Sequence, residues 1–242
     1  MSQGDCMFER EYLVRSEHSD ANGVLQVATL MKWLNDIMEE NANSYGAGAE
    51  YHLRQNLAWV LAEYQIDVER LPKTGESVKV GTLPYSFKRM FGFRLYRLTD
   101  KAGNPIVKGK GKFLLINIKT KEMVRPSKEL LDKFTDAKKE PESLPFPKWK
   151  TVRNKRLFAK TLILTEDMAD ANGHLNNAQY VRIAQDLLQN YRFSETKSIR
   201  VRYKQELFPG DEAVVAAYEE HKGVSIAFYK DDALANEIWI HD

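Results

Sequence analysis

Apolar residues stand at Val27, Leu30, Met31, Leu34, Met38 and Ala42, separated by three or four positions with one open turn. That spacing lines one face of a helix. A second such stretch runs through Ala178, Val181, Ala184 and Leu188. Strand-like runs follow the first at 57–68, 77–83, 91–99 and 105–118. After the second, 198–206 alternates Ile199, Val201 and Tyr203 with Arg200, Arg202 and Lys204, the period of a half-buried strand. Further runs at 213–218, 224–229 and 235–241 complete the pattern. Asp20 and Asn22, and again Asp170 and Asn172, supply turn and cap chemistry just ahead of each helix.

The two halves are copies. Asp-Ala-Asn-Gly occupies 20–23 and again 170–173, and at that offset 20–38 and 170–188 agree at seven of 19 positions. Leu25 meets Leu175, Ala28 meets Ala178 and Asp36 meets Asp186. Four consecutive identities followed by matched periodicity indicate duplication rather than two helices sharing a cap. Each copy reads as strand, turn, helix and a run of strands, an α+β arrangement with an antiparallel sheet covering the helix. Between them, Pro126, Pro141, Pro145 and Pro147 mark a linker with one helical piece at 127–134. The expected division is 1–125, a linker at 126–156, and 157–242.

Composition narrows the function classes. The 242 residues are 43% hydrophobic and 29% charged with a net charge of +2, an ordinary globular composition that demands no nucleic-acid partner. The first fifteen residues carry charges, so no signal-peptide core is expected, and no apolar run approaches a membrane span. The one cysteine, Cys6, excludes an internal disulfide framework and suits a reducing, cytoplasmic setting. His18, His52, His174, His221 and His241 show no metal-site spacing, so neither a metal nor another cofactor is expected. Lys108-Gly-Lys-Gly-Lys112 is no phosphate loop; its glycines are expected to let backbone approach the helix. Trp59 reads as core.

Where the copies differ, polar groups gather in one of them. Val24 of the first is His174 in the second, and Gln26-Val27 becomes Asn176-Asn177. Asp170, Asn172, His174, Asn176 and Asn177 therefore cluster at a helix N-terminus, whose unpaired N–H groups can stabilise an oxyanion. The same residues also make a good turn and cap with no chemistry at all, and spacing alone leaves both readings open. Glu206 is expected to end the strand begun at Ser198, and Asp67 stands at the matching place in the first copy.

Asp170-Ala-Asn-Gly-His174-Leu-Asn176-Asn177, with Tyr203-Lys-Gln-Glu206-Leu207 some 30 positions on, resembles the acyl-acyl carrier protein (ACP) thioesterases of plants and bacteria. The resemblance implies a tandem double hotdog fold, hydrolysis of fatty acyl-ACP, and a catalytic set of Asp170, Asn172, His174 and Glu206. It implies that the first hotdog shapes the acyl pocket, which agrees with the apolar Met31, Trp33 and Leu34, and Asn176 is placed with the substrate-binding residues. ACP and the fatty acyl chain are the implied partners, of a monomer or homodimer. Plant members often carry a cysteine after the glutamate; here Leu207 stands there, so a cysteine nucleophile is not expected. An acyl-CoA thioesterase and a non-catalytic acyl-binding protein are the competing readings.

Overall fold

A computed structural model describes residues 7–137, 144–146, 155–170, 173–188 and 191–241. Cys6, Asn172 and most of the proline-marked linker lie outside the described residues. Among those described, ten strands form one antiparallel sheet. The first five are β1 (Phe8–Leu13), β2 (Leu57–Val68), β3 (Ser77–Lys88), β4 (Phe91–Thr99) and β5 (Pro105–Asn117). The others are β6 (Arg156–Ile163), β7 (Ser198–Tyr203), β8 (Glu212–Glu220), β9 (Gly223–Lys230) and β10 (Ala233–His241). Their order is β1-β3-β4-β5-β2-β7-β10-β9-β8-β6. The second half repeats the first in mirror order, as a two-fold axis at the β2–β7 seam requires. This is the tandem hotdog architecture.

At the seam Glu63 lies opposite Arg202, Tyr64 opposite Val201 and Ile66 opposite Ile199. Tyr64, Ile66, Ile199 and Val201 are all essentially inaccessible to solvent and face the helix layer, while the alternate positions are charged or polar. Two helices cover that layer, α1 (Val27–Ser44) and, in the second unit, α4 (Asn177–Leu187), and they pack on each other. α1 buries Val27, Leu30, Met31 and Leu34 of the stripe read from its spacing, and further along Ile37 is buried in place of Met38. The N-cap Gln26 makes no side-chain cap; instead Gln185 of α4 accepts the Ala28 N–H at 3.0 Å, tying the two units together. Two short helices complete the structure, α2 (Ala49–Arg54) and α3 (Lys128–Lys133), the latter capped by the Ser127 hydroxyl.

Three expectations are corrected. The strand begun at Ser198 stops at Tyr203, because the Lys204 and Gln205 N–H groups both converge on the Ala235 carbonyl and turn the chain out of the ladder. Glu206 therefore stands in a loop and follows no strand alternation. The run from Ser77 does not stop at Leu83; it continues to Lys88, with Pro84 at a bulge where its missing N–H breaks no regular ladder. Lastly, Gly109 and Gly111 make room for rings rather than for a helix. A Cβ at Gly111 would lie 2.9 Å from the Phe113 ring and 3.0 Å from that of Tyr64, and one at Gly109 would lie 3.3 Å from Tyr96 Cβ.

Gly111→Ala is accordingly expected to cost about 1–3 kcal/mol through overpacking. Urea unfolding measures it, and a midpoint equal to that of the unchanged protein would contradict this packing.

Candidate active site

Asp170, Gly173 and His174 make the same bonds as Asp20, Gly23 and Val24. Asp170 N–H donates to the His174 carbonyl at 2.8 Å, Gly173 N–H to the Asp170 carbonyl at 3.0 Å, and the Asp170 carboxylate accepts His174 N–H at 3.1 Å. In the first unit Asp20, Gly23 and Val24 make the corresponding bonds at 2.8, 3.0 and 3.0 Å. Gly173 and Gly23 have φ of +77° and +72°, the left-handed region that glycine enters without strain. The bonds of Asp170 and Gly173 are thus common to both units, and the units differ at the fifth position, Val24 in one and His174 in the other.

A second pair of matched bonds brings the Glu206 loop to this turn. Leu175 N–H donates to the Leu207 carbonyl at 2.7 Å, and Leu25 N–H to the Pro72 carbonyl at 2.9 Å. Each bond joins the residue after the turn's fifth position to the loop, so the structural counterpart of Glu206 is Leu71, which is buried. Asp67, its expected counterpart, remains within β2 opposite Ser198. Asp211 braces the far end of the Glu206 loop, accepting Phe208 N–H at 2.9 Å and the Lys230 ammonium at 2.7 Å. Burial works to raise the Asp211 pKa, but these bonds and the Lys230 charge outweigh it and hold the carboxyl below its ordinary range.

Across the resulting cleft His174 Nδ1 lies 3.7 Å from Glu206 Oε1, and Glu206 Oε2 lies 3.5 Å from Lys121 Nζ. The first distance is longer than a hydrogen bond, as acid–base pairs often are before substrate binds. Phe208 meets the His174 ring edge-on at 5.0 Å. Both side chains of the pair are about a third exposed, open enough for water to enter. Lys121, at the end of the first unit, was missed because nothing in the sequence links it to a loop 85 positions away.

The cleft encloses about 580 Å³. Its walls come from both units: Val60, Leu61, Leu114 and Ile116 on one side, His174, Tyr180, Tyr203 and Glu206 on the other. The Tyr203 hydroxyl donates to the Asn177 carbonyl at 3.1 Å, and burial pushes the Tyr180 and Tyr203 phenols well above their usual pKa, so both stay protonated. Leu53, Ala58 and Trp59 line this cleft and also a second cavity of about 260 Å³ inside the first unit, bounded by Met38, Ala42, Phe87 and Phe134. Trp59 is thus a cavity wall, contrary to its reading as core. Met31 and Leu34 are fully buried, and Trp33 stacks on Tyr12 at 4.8 Å; none of the three lines either cavity. The face of α1 that does begins one turn later, at Met38.

The N–H groups expected to bind an oxyanion are mostly engaged. Those of His174, Leu175 and Asn176 bond Asp170, Leu207 and Met168, and the Asn176 side chain caps α4 by accepting Ala178 N–H at 2.9 Å. That leaves Asn177 N–H, at the first helical position and beside the cleft, with no acceptor among the described residues. Among the described residues no group of His, Cys, Asp or Glu could hold a metal ion, and no helix is long and apolar enough to cross a membrane.

The family model for the acyl-ACP thioesterase N-terminal domain matches residues 5–134. A chloroplastic acyl-[acyl-carrier-protein] hydrolase of Cuphea viscosissima is 23% identical over 192 residues, covering 74% of this chain and 46% of that protein. A chloroplastic oleoyl-acyl carrier protein thioesterase of Arabidopsis thaliana is 22% identical over 232 residues, covering 85% and 62%. The chain therefore spans about half to three fifths of the length of these relatives. An acyl-ACP thioesterase structure from Bacteroides thetaiotaomicron superposes with a TM-score of 0.84 at 20% identity, over 97% of each chain. The 12:0-ACP thioesterase of Umbellularia californica also gives 0.84, at 16% identity, over 97% and 96%. At such identities the structural likeness is one of fold.

Asp211 makes a pH prediction. Its folded pKa lies below the unfolded value near 4, so its stabilisation is present above that value and is lost as pH falls through the folded one. Asp211→Asn is expected to lower stability at neutral pH by on the order of 1–2 kcal/mol and to flatten the acid limb of the stability profile. Denaturant titrations across pH 2–7 check it; an unchanged acid limb would contradict it.

Proposed function

The chain belongs to the acyl-ACP thioesterase family, and on that premise we propose that it hydrolyses fatty acyl-ACP to free fatty acid and ACP without a cysteine. The observation that carries this reading is His174 facing Glu206 at 3.7 Å in a cleft that shares the wall of Leu53, Ala58 and Trp59 with a largely apolar cavity. Acid–base groups meet a space fit for hydrocarbon.

The thioester carbonyl lies at the N-terminus of α4, where the Asn177 N–H and the positive end of the helix stabilise the oxyanion. Glu206, with His174, orients a water molecule and takes its proton as oxygen attacks the carbonyl carbon. Collapse of the tetrahedral intermediate breaks the carbon–sulfur bond, and the proton passes to the departing sulfur, leaving a fatty acid and a thiol. Asp170 positions His174 through its backbone; with its carboxylate committed to that N–H, direct attack by Asp170 is the less favoured route. Asn172 belongs to the set by resemblance. Lys121 contacts the second oxygen of Glu206, opposite the one that faces His174.

The first unit, 1–125, holds the acyl chain and the second, 157–242, the reaction, with 126–156 connecting them. Met31, Trp33 and Leu34 support that cavity from the core behind it. The fused pair supplies the pairing that single hotdogs gain by dimerising, so monomer and homodimer both fit, and the single cysteine suits a cytoplasmic setting.

His174→Ala and Glu206→Ala are each expected to lower turnover of acyl-ACP by at least roughly 10²-fold while the protein stays folded. Free-acid release, measured beside matched acyl-CoA thioesters, checks this. Near-normal rates in both folded variants would overturn the assignment, and a preference for CoA would favour the acyl-CoA reading.

A further inference from the structure

The cavity inside the first unit is lined mostly by apolar residues. Arg94, on β4, lines it and is only 6% exposed. Its Nη1 donates to Asn41 Oδ1 at 2.6 Å and to Thr82 Oγ1 at 3.1 Å, and no carboxylate pairs with it among the described residues. Glu39, the carboxylate that also lines this cavity, is exposed and forms no ion pair with it. His52 of α2 lines the same cavity at 4% exposure, with the Ala47 backbone beside its ring. A guanidinium buried without a counter-ion is costly unless something else completes it.

Arg94 lies deep. In the sheet order β4 is two strands beyond β2, and Arg94 stands in line with Gly111 and Tyr64, four to five residues along the strands from the level of Ala58 and Trp59. Two spacings of about 4.8 Å and that offset at about 3.3 Å per residue put roughly 15–20 Å of backbone distance between Arg94 and the shared wall. A chain filling this space brings its far end to a donor. A bare methyl would leave the guanidinium facing hydrocarbon, whereas an oxygen would accept from it.

We propose that this cavity selects acyl chains whose distal end carries a hydrogen-bond-accepting oxygen, hydroxyl or carboxylate, with Arg94 as the specificity-determining residue. The inference rests on the thioesterase reading and deepens it by naming the substrate class. Sites that hydrogen-bond a polar substrate group discriminate strongly against the analogue lacking it, because their own donors are then left unpaired.

The test is a panel of acyl-ACP thioesters of graded length, C8 to C18, ending in methyl, hydroxyl or carboxylate, assayed for kcat/KM with the protein and with Arg94→Met and Arg94→Lys. The matching free acids are also tested for displacement of a fluorescent fatty acid, which needs no catalysis. The unchanged protein is expected to favour an oxygenated chain over the methyl chain by at least about tenfold, Arg94→Met to abolish that ratio and Arg94→Lys to retain part of it. A ratio at or below unity in the unchanged protein overturns the proposal even if neither variant folds. A ratio unaltered by Arg94→Met, with only a lower Tm, also overturns it by making Arg94 a structural strut. Displacement that favours oxygenated acids and depends on Arg94, without hydrolysis of any thioester, would sustain the pocket's selectivity while overturning the hydrolase reading.

Discussion

The pairing of β2 with β7 is the constraint on which the remaining structure depends. Five residue pairs, Glu63–Arg202 to Asp67–Ser198, join two five-stranded sheets into one and fix the axis relating them. The inward side chains at this seam are apolar or aromatic and fully buried, so a one-residue slip would send charges into the core. The same register sets Val60 and Leu61 of the first unit against His174 and Glu206 of the second. Neither unit alone encloses the cleft.

Both units share one backbone scaffold, and they differ in the side chains it carries. The turn at Asp20 and the turn at Asp170 share their hydrogen bonds, as do the contacts Leu25–Pro72 and Leu175–Leu207. At the two positions so held together, the first unit has Val24 and Leu71 and the second His174 and Glu206. Replacing one polar pair with apolar residues removes a site without disturbing the backbone that built it. The first unit instead encloses the cavity beneath the later turns of α1, with Arg94 and His52 in its wall.

The helices, most strands and the repeat were legible because burial imposes periods of 3.6 and two on the chain. The run 57–68 and the run 91–99 coincide with β2 and β4. What escaped reading depended on contacts distant in sequence. Glu206 left its strand because two N–H groups share the Ala235 carbonyl, a bond no local pattern announces. Asp67 looked like its counterpart because the alignment counted along a strand that does not continue. Lys121 reaches the site from the other unit, and Met31 gave way to Met38 because the first half of α1 faces α4 and the core. Asp170 and Asn176 were found, yet the local bonds they make are those of a turn and a cap, which the spacing had left open.

The central claim is that water, activated by His174 and Glu206 in a cleft shared by both units, cleaves the thioester directly. A single turnover of acyl-ACP in ¹⁸O-water, with the protein in excess, tests it most directly when the fatty acid and the intact protein are both weighed. The account predicts one heavy oxygen in the released acid and no mass change in the protein. An acylated protein, heavy oxygen incorporated into Asp170 or Glu206, or no release of acid would contradict it.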